Sequence, residues 1–174
     1  MVREEPQSKS RMKRSELEGM GFIGFRVVVD ALNGWIDSVP KEPGVYAVLR
    51  TERGEPTFLS QSKGGHFKGK NPTVPVASLQ EKWVDATDLL YVGKADDLGV
   101  RIKDLCRYGS GEPIGHWGGR YLWQVKDHYS FTVAWRRTPD RDPFDVEAEL
   151  MDDFRSSFGS WPFANIASPR RKRR

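Results

Sequence analysis

The segment that most constrains the fold of this chain is residues 89–95, Leu-Leu-Tyr-Val-Gly-Lys-Ala. Its apolar run ends at Gly and Lys, and two consecutive aspartates then open a helical pattern, which predicts a buried strand that turns directly into a helix. We therefore expect Tyr91 near the end of the strand, Lys94 in the turn and Arg101 within the helix. A tyrosine, a lysine and an arginine at one strand–helix turn suit an anionic substrate.

The other regular patterns of the sequence complete a small core. They predict strands at 45–49 and 129–135 and helices at 96–108 and 143–158. Residues 15–35 contain apolar runs that fit either a strand or a short helix. We expect a small α/β (α+β) domain with a mixed, mostly antiparallel central sheet of about three strands flanked by helices. A hairpin formed by strands 45–49 and 89–93 would place Tyr46 beside Tyr91.

Positive charge is concentrated at the two ends of the 174-residue chain. The net charge is +4, of which residues 170–174 contribute +5 and residues 1–14 contribute +3, so the body between them is acidic. We expect a disordered basic segment at 1–14, a single domain over 15–168 and a basic tail at 169–174. Such ends raise the affinity for any polyanion without selecting a sequence, and solvated tails with no ligand are the alternative.

Composition argues against several classes of protein. No apolar stretch reaches the ~20 residues needed to span a bilayer, and the N-terminal residues lack the apolar region of a signal peptide. The single cysteine, Cys106, excludes an internal disulfide framework and fits a reducing cytoplasm. His66, His116 and His128 have no metal-ligand spacing with one another or with that cysteine, which argues against a zinc site.

Residues 51–88 interrupt the regular pattern with a long excursion rich in glycine and proline, in which we expect one short element near the end. The stretch 64–70 resembles the start of a phosphate-binding P-loop, but an asparagine follows where serine or threonine should hold magnesium. Prolines come next, so no helix can begin there to bind a phosphate. Lys68 and Lys70 could instead contact a phosphate backbone, with a solvated loop as the alternative.

The helical pattern at 143–158 carries the most specific signal. Asp142 is a favourable N-cap, and the apolar stripe of the helix includes Leu150 and Phe154. Counting back by three from Leu150 places Glu147 on that core-facing stripe. A carboxylate that faces inward is destabilising by several kcal/mol unless it is paired or bound to a metal. We therefore expect Glu147 to have a partner, either a metal ion or a helix arginine in a buried ion pair.

Several features in this order resemble the GIY-YIG endonuclease family. They are Gly44-Val45-Tyr46, Tyr91-Val92-Gly93, Arg101 ten residues after Tyr91, the helical pattern that begins at Glu147, and Asn165 at the position of the family's closing asparagine. The resemblance covers about residues 43–166. Its Tyr-Val-Gly-Lys-Ala segment is most similar to the incision subunit of bacterial nucleotide-excision repair. In most of the family the two tyrosine motifs are close in sequence, whereas here the 51–88 excursion lies between them.

The resemblance implies a metal-dependent endonuclease that hydrolyses phosphodiester bonds in DNA or, alternatively, in RNA. Glu147 would hold one divalent ion, Mg²⁺ or Mn²⁺, and Arg101 would clamp the phosphate. Tyr91 would act as the general base with Tyr46 as its orienting partner, or with these two roles exchanged. Lys94 is expected to lower the pKa of the Tyr91 hydroxyl.

Three further residues take part in this hypothesis. Asn165 would hold the site together by hydrogen bonds. The family commonly has a histidine or tyrosine one turn after the arginine, where this chain has Leu105, so Tyr108 or His116 would take that place in substrate binding. The alternative function is a non-catalytic nucleic-acid-binding module on the same scaffold, and a third is a protein-interaction domain with incidental basic tails.

Overall fold

The computed structural model describes residues 11–171 of the chain. The helices of this part are α1 (Arg14–Gly19), α2 (Val76–Lys82), α3 (Leu98–Gly109) and α4 (Pro143–Phe158). The strands are β1 (Ile23–Val27), β2 (Gly44–Leu49), β3 (Leu89–Ala95) and β4 (Thr132–Arg137). Short 3-10 turns lie between them, including a longer one at Trp117–Gln124. Within the described range, no helix combines the length and the apolar character that crossing a membrane requires.

The strands form a four-stranded sheet in the order β1-β4-β2-β3, and each pair of neighbours is antiparallel. The predicted α+β class is confirmed. The sheet differs from the prediction in two ways, since it has a fourth strand and its described pairs include no parallel one. The two strands that carry the tyrosine motifs are adjacent, with β2 inside the sheet and β3 at its edge.

The additional strand, β1, lies in the segment whose apolar runs fitted either a strand or a helix. A bulge between Gly24 and Arg26 interrupts its pairing with β4, and both Gly24 and Phe25 have positive φ. A bulge breaks the strict alternation by which a strand is identified in a sequence. A Cβ at position 24 would lie 2.4 Å from the Trp135 ring, so this close approach requires glycine.

All three predicted strands have bounds that differ from those predicted, β2 by a single residue at its start. Gly44 of β2 pairs with Ala95, so β3 continues beyond the local Gly-Lys signal. Lys94 therefore lies within the strand and not in the turn after it. β4 begins at Thr132 rather than at 129, because His128–Ser130 forms a 3-10 turn. At the end of β3, pairing with Gly44 and not local sequence decides where the ladder ends.

The two long helices begin and end close to the predicted positions, because short-range signals control their ends. α3 begins after Asp97, whose side chain accepts a hydrogen bond from the backbone N–H of Val100. α4 spans the predicted 143–158. Asp142 caps its N-terminus, and Gly159 ends it in the left-handed conformation at φ 75°.

Two clusters of buried side chains cover the two faces of the sheet. The cluster on the side of α1 and α4 contains aliphatic, methionine and phenylalanine side chains. The cluster on the side of α3 and the Trp117–Gln124 turn also contains tyrosines and tryptophans: Tyr46, Tyr91, Tyr108, Trp123 and Trp135. Both motif tyrosines thus lie on the α3 side of the sheet.

The 51–88 excursion is attached to the rest of the domain through Gln124. The Gln124 Nε2 donates hydrogen bonds to the carbonyl oxygens of Leu59 and Val74, at 3.0 and 2.8 Å. Its Oε1 accepts one from the Val74 N–H at 3.0 Å. The buried amide is therefore well paired, and it fixes the excursion as part of the fold. The short element predicted near the end of the excursion is α2.

The predicted terminal segments fall only partly on the described residues, since 1–10 and 172–174 lie outside them. Met12 is fully buried and α1 begins two residues later, so 11–14 belong to the packed domain, contrary to the prediction of a disordered segment. At the other end of the described part, Arg171 forms ion pairs with α4 and its cap.

Candidate active site

The predicted catalytic residues line one pocket of about 390 Å³ at the edge of the sheet formed by β3. These residues are Tyr46, Tyr91, Lys94, Arg101, Glu147 and Asn165. They come from β2, β3, α3, α4 and the segment after α4. Because β3 is an edge strand, side chains from both faces of the sheet meet around it.

Strand register brings the two tyrosines together. Tyr46 pairs with Gly93 across the β2–β3 ladder, and Val48 pairs with Tyr91. Tyr46 and Tyr91 therefore lie on the same face, diagonal to each other, with ring centroids 6.0 Å apart and the planes tilted by 47°. The predicted hairpin arrangement is confirmed, although the 51–88 excursion joins the two strands.

The glycine of the Tyr-Val-Gly motif has a steric reason. A Cβ at position 93 would lie 2.3 Å from Cζ and 2.4 Å from Oη of Tyr46. The Tyr46 ring therefore lies directly over the Gly93 backbone. Any larger residue at this position would displace the phenol from the pocket.

Glu147 reaches the pocket from α4, on the opposite side of the sheet from the tyrosines. Its side chain is 8% exposed, and burial raises its pKa. The Lys94 charge, a hydrogen bond from the Lys94 backbone and the Arg101 charge oppose that rise. Among the described residues Glu147 forms no ion pair within 4.0 Å, so the alternative of a buried pair with a helix arginine is not realised there.

Arg101 joins α3 to the loop that precedes the Trp117–Gln124 turn. Its guanidinium donates a hydrogen bond to the carbonyl oxygen of Gly115. Burial lowers the pKa of Arg101, but the neighbouring Tyr46 and Tyr91 together raise it by more than burial lowers it. The net pKa is therefore raised, and the side chain stays cationic. The arginine thus lies beside both phenols, with its guanidinium bound to the Gly115 carbonyl.

Lys94 does not act on Tyr91 as predicted. Residues three apart in a strand point to opposite faces, so once β3 includes Lys94 its side chain cannot lie beside the phenol. The ammonium lies instead over the Phe144 ring of α4, 5.9 Å from its centroid. The pKa of Tyr91 is raised well above 10.0, first by burial, and the cation that opposes this rise is Arg101. The predicted lowering by Lys94 is therefore wrong.

Asn165 closes the pocket on the outer side of β3. Its Oδ1 accepts a hydrogen bond from the Val92 N–H, and its Nδ2 donates one to the Val92 carbonyl, both at 2.9 Å. The adjacent Ala164 N–H donates to the Leu90 carbonyl at 2.8 Å. A side-chain amide thus takes the place of a fifth strand at this point, as the predicted holding role requires.

His116 is the buried partner of Tyr46. Its Nε2 lies 2.8 Å from Tyr46 Oη, and the histidine has no exposed surface. Burial and then the Arg101 charge lower its pKa to about 3, so the ring is neutral at physiological pH. The pKa of Tyr46 is raised by burial, and Arg101 opposes this. The structure therefore places His116 behind the tyrosine and not in the pocket wall.

A glycine gives His116 its space, as Gly93 does for Tyr46. A Cβ at Gly119 would lie 2.9 Å from both Cε1 and Nδ1 of the imidazole. The cluster of glycines around the histidine was visible in the sequence. These glycines did not indicate that Tyr46 would be the hydrogen-bond partner of the histidine.

The other predicted substrate-binding residues lie outside the pocket. Tyr108 is fully buried, and burial raises its pKa to about 12 against the opposing Arg120 charge. Its ring packs under Gly64, where a Cβ would lie 2.7 Å from it. Lys68 and Lys70 are exposed at a turn of the excursion and do not line this pocket.

The pocket also has a wall that sequence reasoning missed. Gly118 and the segment 166–170 complete its lining. The segment has no apolar periodicity and no regular structure, so no pattern distinguished it from a solvated tail. The sequence feature that could have drawn attention to this segment is charge, since it ends at Arg170, the first of the C-terminal arginines.

The donor set fits Mg²⁺ that shares its coordination with a substrate. No group of three or more histidine, cysteine, aspartate or glutamate side chains in residues 11–171 could enclose a metal ion. Glu147 is a single buried carboxylate in the pocket. Mg²⁺ commonly binds one or two carboxylates, with water and phosphate oxygens in the remaining positions.

Comparison of this chain with protein-family models, with curated proteins and with solved structures finds no match in any of the three.

Proposed function

We propose that this protein is a Mg²⁺-dependent endonuclease of the GIY-YIG type that hydrolyses phosphodiester bonds in DNA, with RNA as the alternative substrate. One observation carries the proposal. The side chains selected from separate motifs between Tyr46 and Asn165 line a single pocket. Chance matches to short motifs would be scattered over the surface of the fold.

The charges in the pocket support an anionic substrate. Lys94 and Arg101 face a single carboxylate, that of Glu147. A phosphodiester supplies one negative charge per phosphate, and the planar guanidinium of Arg101 can donate two parallel hydrogen bonds to its oxygens. Arg101 would thus orient the scissile phosphate and stabilise the charge that develops on it.

Glu147 is the pocket residue that would hold the metal ion. When bound, Mg²⁺ would neutralise charge on the phosphate and favour ionisation of a bound water. Burial raises the pKa of Glu147, so in the free protein this carboxyl group ionises less readily than an exposed one. A bound divalent cation would favour the ionised form of Glu147.

Tyr91 is the better candidate for accepting the proton of the attacking water. Its side chain is 8% exposed, whereas Tyr46 has no exposed surface and its hydroxyl is hydrogen-bonded to His116. Tyr46 and His116 would fix the position of the Tyr91 ring from behind. Because the pKa of Tyr91 is raised, its hydroxyl is protonated in the free protein at neutral pH.

The main test is cleavage of supercoiled plasmid by wild type and by Glu147→Ala. We expect nicking only with Mg²⁺ or Mn²⁺, and a loss of at least about 10³-fold in rate for the variant, because its metal ligand is gone. Glu149→Ala is the matched control, since Glu149 lies on the same helix but is exposed and paired with Arg141. Equal nicking by Glu147→Ala and wild type would overturn the proposal.

A second candidate is a non-catalytic nucleic-acid-binding module. The pKa values of both motif tyrosines are raised, so neither phenol is activated in the free protein. Salt-dependent DNA binding by wild type, without nicking under any divalent ion, would favour this candidate.

The proposed place of action for either function is the cytoplasm. The single cysteine supports this proposal, since a reducing compartment disfavours disulfides.

A further inference from the structure

The segment after Asn165 runs along the candidate active site. Residues 166–170 line the catalytic pocket, and Arg171 lines a neighbouring groove of about 930 Å³. Lys94 and Arg101 border both cavities. We call residues 166–171 the strap.

Arg171 fastens the strap to the N-terminus of α4. Its guanidinium forms ion pairs with Asp142 at 3.2 Å and with Asp145 at 2.7 Å. The same group lies over the Phe144 ring, 4.4 Å from the centroid. Two carboxylates and an aromatic face thus fix one planar cation, an arrangement that suits arginine better than lysine.

Arg170 differs from its neighbour because it forms no ion pair or hydrogen bond with the described residues. It lines the pocket together with Lys94 and Arg101, against the single carboxylate of Glu147. The pocket therefore has three cations and one anion in its lining. An exposed cation beside a phosphate clamp is suited to a second phosphate of the same strand.

We propose that Arg170 contacts a substrate phosphate other than the one held by Arg101, and that the Arg171 contacts position it. The inference depends on the proposed function for the nature of the ligand, a polyanionic nucleic acid strand. Arg170 is the binding residue. Arg171 is a positioning residue that acts through the strap.

The test is binding of a fluorescein-labelled 20-base-pair DNA duplex in EDTA, measured by anisotropy over a salt series. We expect Arg170→Ala to weaken binding about tenfold and to reduce the slope of log K against log salt by about 0.9, the value for one phosphate contact. Arg155→Ala, on the exposed face of α4, removes the same charge away from the pocket and should leave the slope unchanged.

Two further variants separate positioning from charge. Arg171→Ala should weaken binding as Arg170→Ala does, and the double variant should be no weaker than either, because both remove one contact. Arg171→Lys keeps the charge but loses the planar group that joins two carboxylates, so it should resemble Arg171→Ala. In the ion pairs that Arg171 forms with Asp142 and Asp145, the arginine side chain is more than half exposed, so these variants are expected to fold.

The outcomes are distinguishable from those of the nuclease test. If Arg170→Ala and Arg155→Ala lose the same affinity, or if the two strap variants are additive, the inference is wrong even when wild type nicks DNA. If wild type does not nick DNA but Arg170→Ala shows the specific loss, the contact stands and the site only binds. Wild type that binds no DNA at any salt concentration would overturn the inference.

Discussion

The two faces of the sheet differ in composition, and β2 contributes side chains to both. On the side of α1 and α4, β2 buries Val45, Ala47 and Leu49, and the described cluster there contains no tyrosine or tryptophan. On the opposite side, the same strand buries Tyr46 and Val48 in a cluster with three tyrosines. Alternate residues of β2 therefore contribute to a more apolar layer on the α4 side and to a layer with polar tips on the α3 side.

Among the described residues, most of the buried side-chain polar atoms without a hydrogen-bond partner lie in the layer with polar tips, although Thr132 Oγ1 on β4 also has none. Tyr108 Oη, His116 Nδ1, Trp123 Nε1 and Trp135 Nε1 are buried there without a hydrogen-bond partner among the described residues. An unpaired buried polar group is destabilising by about 1–3 kcal/mol. Phenylalanine in place of Tyr108 would avoid this cost, whereas the Tyr46 hydroxyl is paired with His116. The comparison indicates that the α3 side gives up more stability than the α4 side, because it holds more of the unpaired buried polar groups.

Truncation in the apolar layer should have the largest effect on stability. Phe154 is fully buried on α4 against the sheet, so Phe154→Ala is expected to lower the free energy of unfolding by roughly 3–5 kcal/mol through the cavity it leaves. Urea denaturation followed by circular dichroism measures this. Cleavage per folded molecule should change little. A variant as stable as wild type but unable to cut would contradict the division between the faces.

His116 should make the α3 side sensitive to acid. Its pKa is lowered to about 3 in the folded protein, whereas the unfolded chain takes up this proton near pH 6.5. Between those values the unfolded state binds more protons, so stability is complete above about pH 6.5 and falls as the pH is lowered. The loss from this group is about 2 kcal/mol at pH 5.

The measurement is urea unfolding of wild type and His116→Gln between pH 7 and pH 4. The two free-energy curves should converge as the pH falls, because only wild type carries the histidine penalty. Parallel curves would show that the imidazole is not kept neutral by the fold. That result would remove the main electrostatic difference between the two layers.

Tyr91→Phe should have the smallest effect on stability, below about 1 kcal/mol, because the ring and its packing remain. Its effect on activity should be specific. The raised pKa leaves little phenolate at neutral pH, so wild-type cleavage should increase about tenfold per pH unit from pH 7 to 9. The variant should be slow with a flat profile. A slope retained in the variant would assign the proton transfer to another group.

Elements defined by local sequence signals were predicted more accurately than features that depend on pairing between distant strands. α4 was located from Asp142, Pro143 and the apolar stripe, all within the helix or next to it. The end of β3 was misplaced because Gly44, far away in sequence, continues the ladder to Ala95. The same error placed Lys94 beside Tyr91, since a residue moved from turn to strand changes the face on which it lies.

The six residues predicted as catalytic line one pocket, whereas the predicted substrate-binding residues Tyr108, His116, Lys68 and Lys70 lie outside it. The order and type of the motif residues identified the side chains that line the pocket. The pairing of Tyr46 with His116 and the strap could not be predicted, because neither follows a helical or strand period. Contacts of this kind depend on how loops close over the finished sheet.

The amide of Asn165 has a consequence for the molecule among its own copies. An uncovered edge strand offers a row of free donors and acceptors to any other strand in solution. The Val92 N–H and carbonyl would be part of such a row, and Asn165 occupies both, while Ala164 occupies the Leu90 carbonyl. Asn165, which borders the pocket, therefore also blocks pairing of this edge with a strand of another molecule. We expect it to reduce aggregation at high protein concentration.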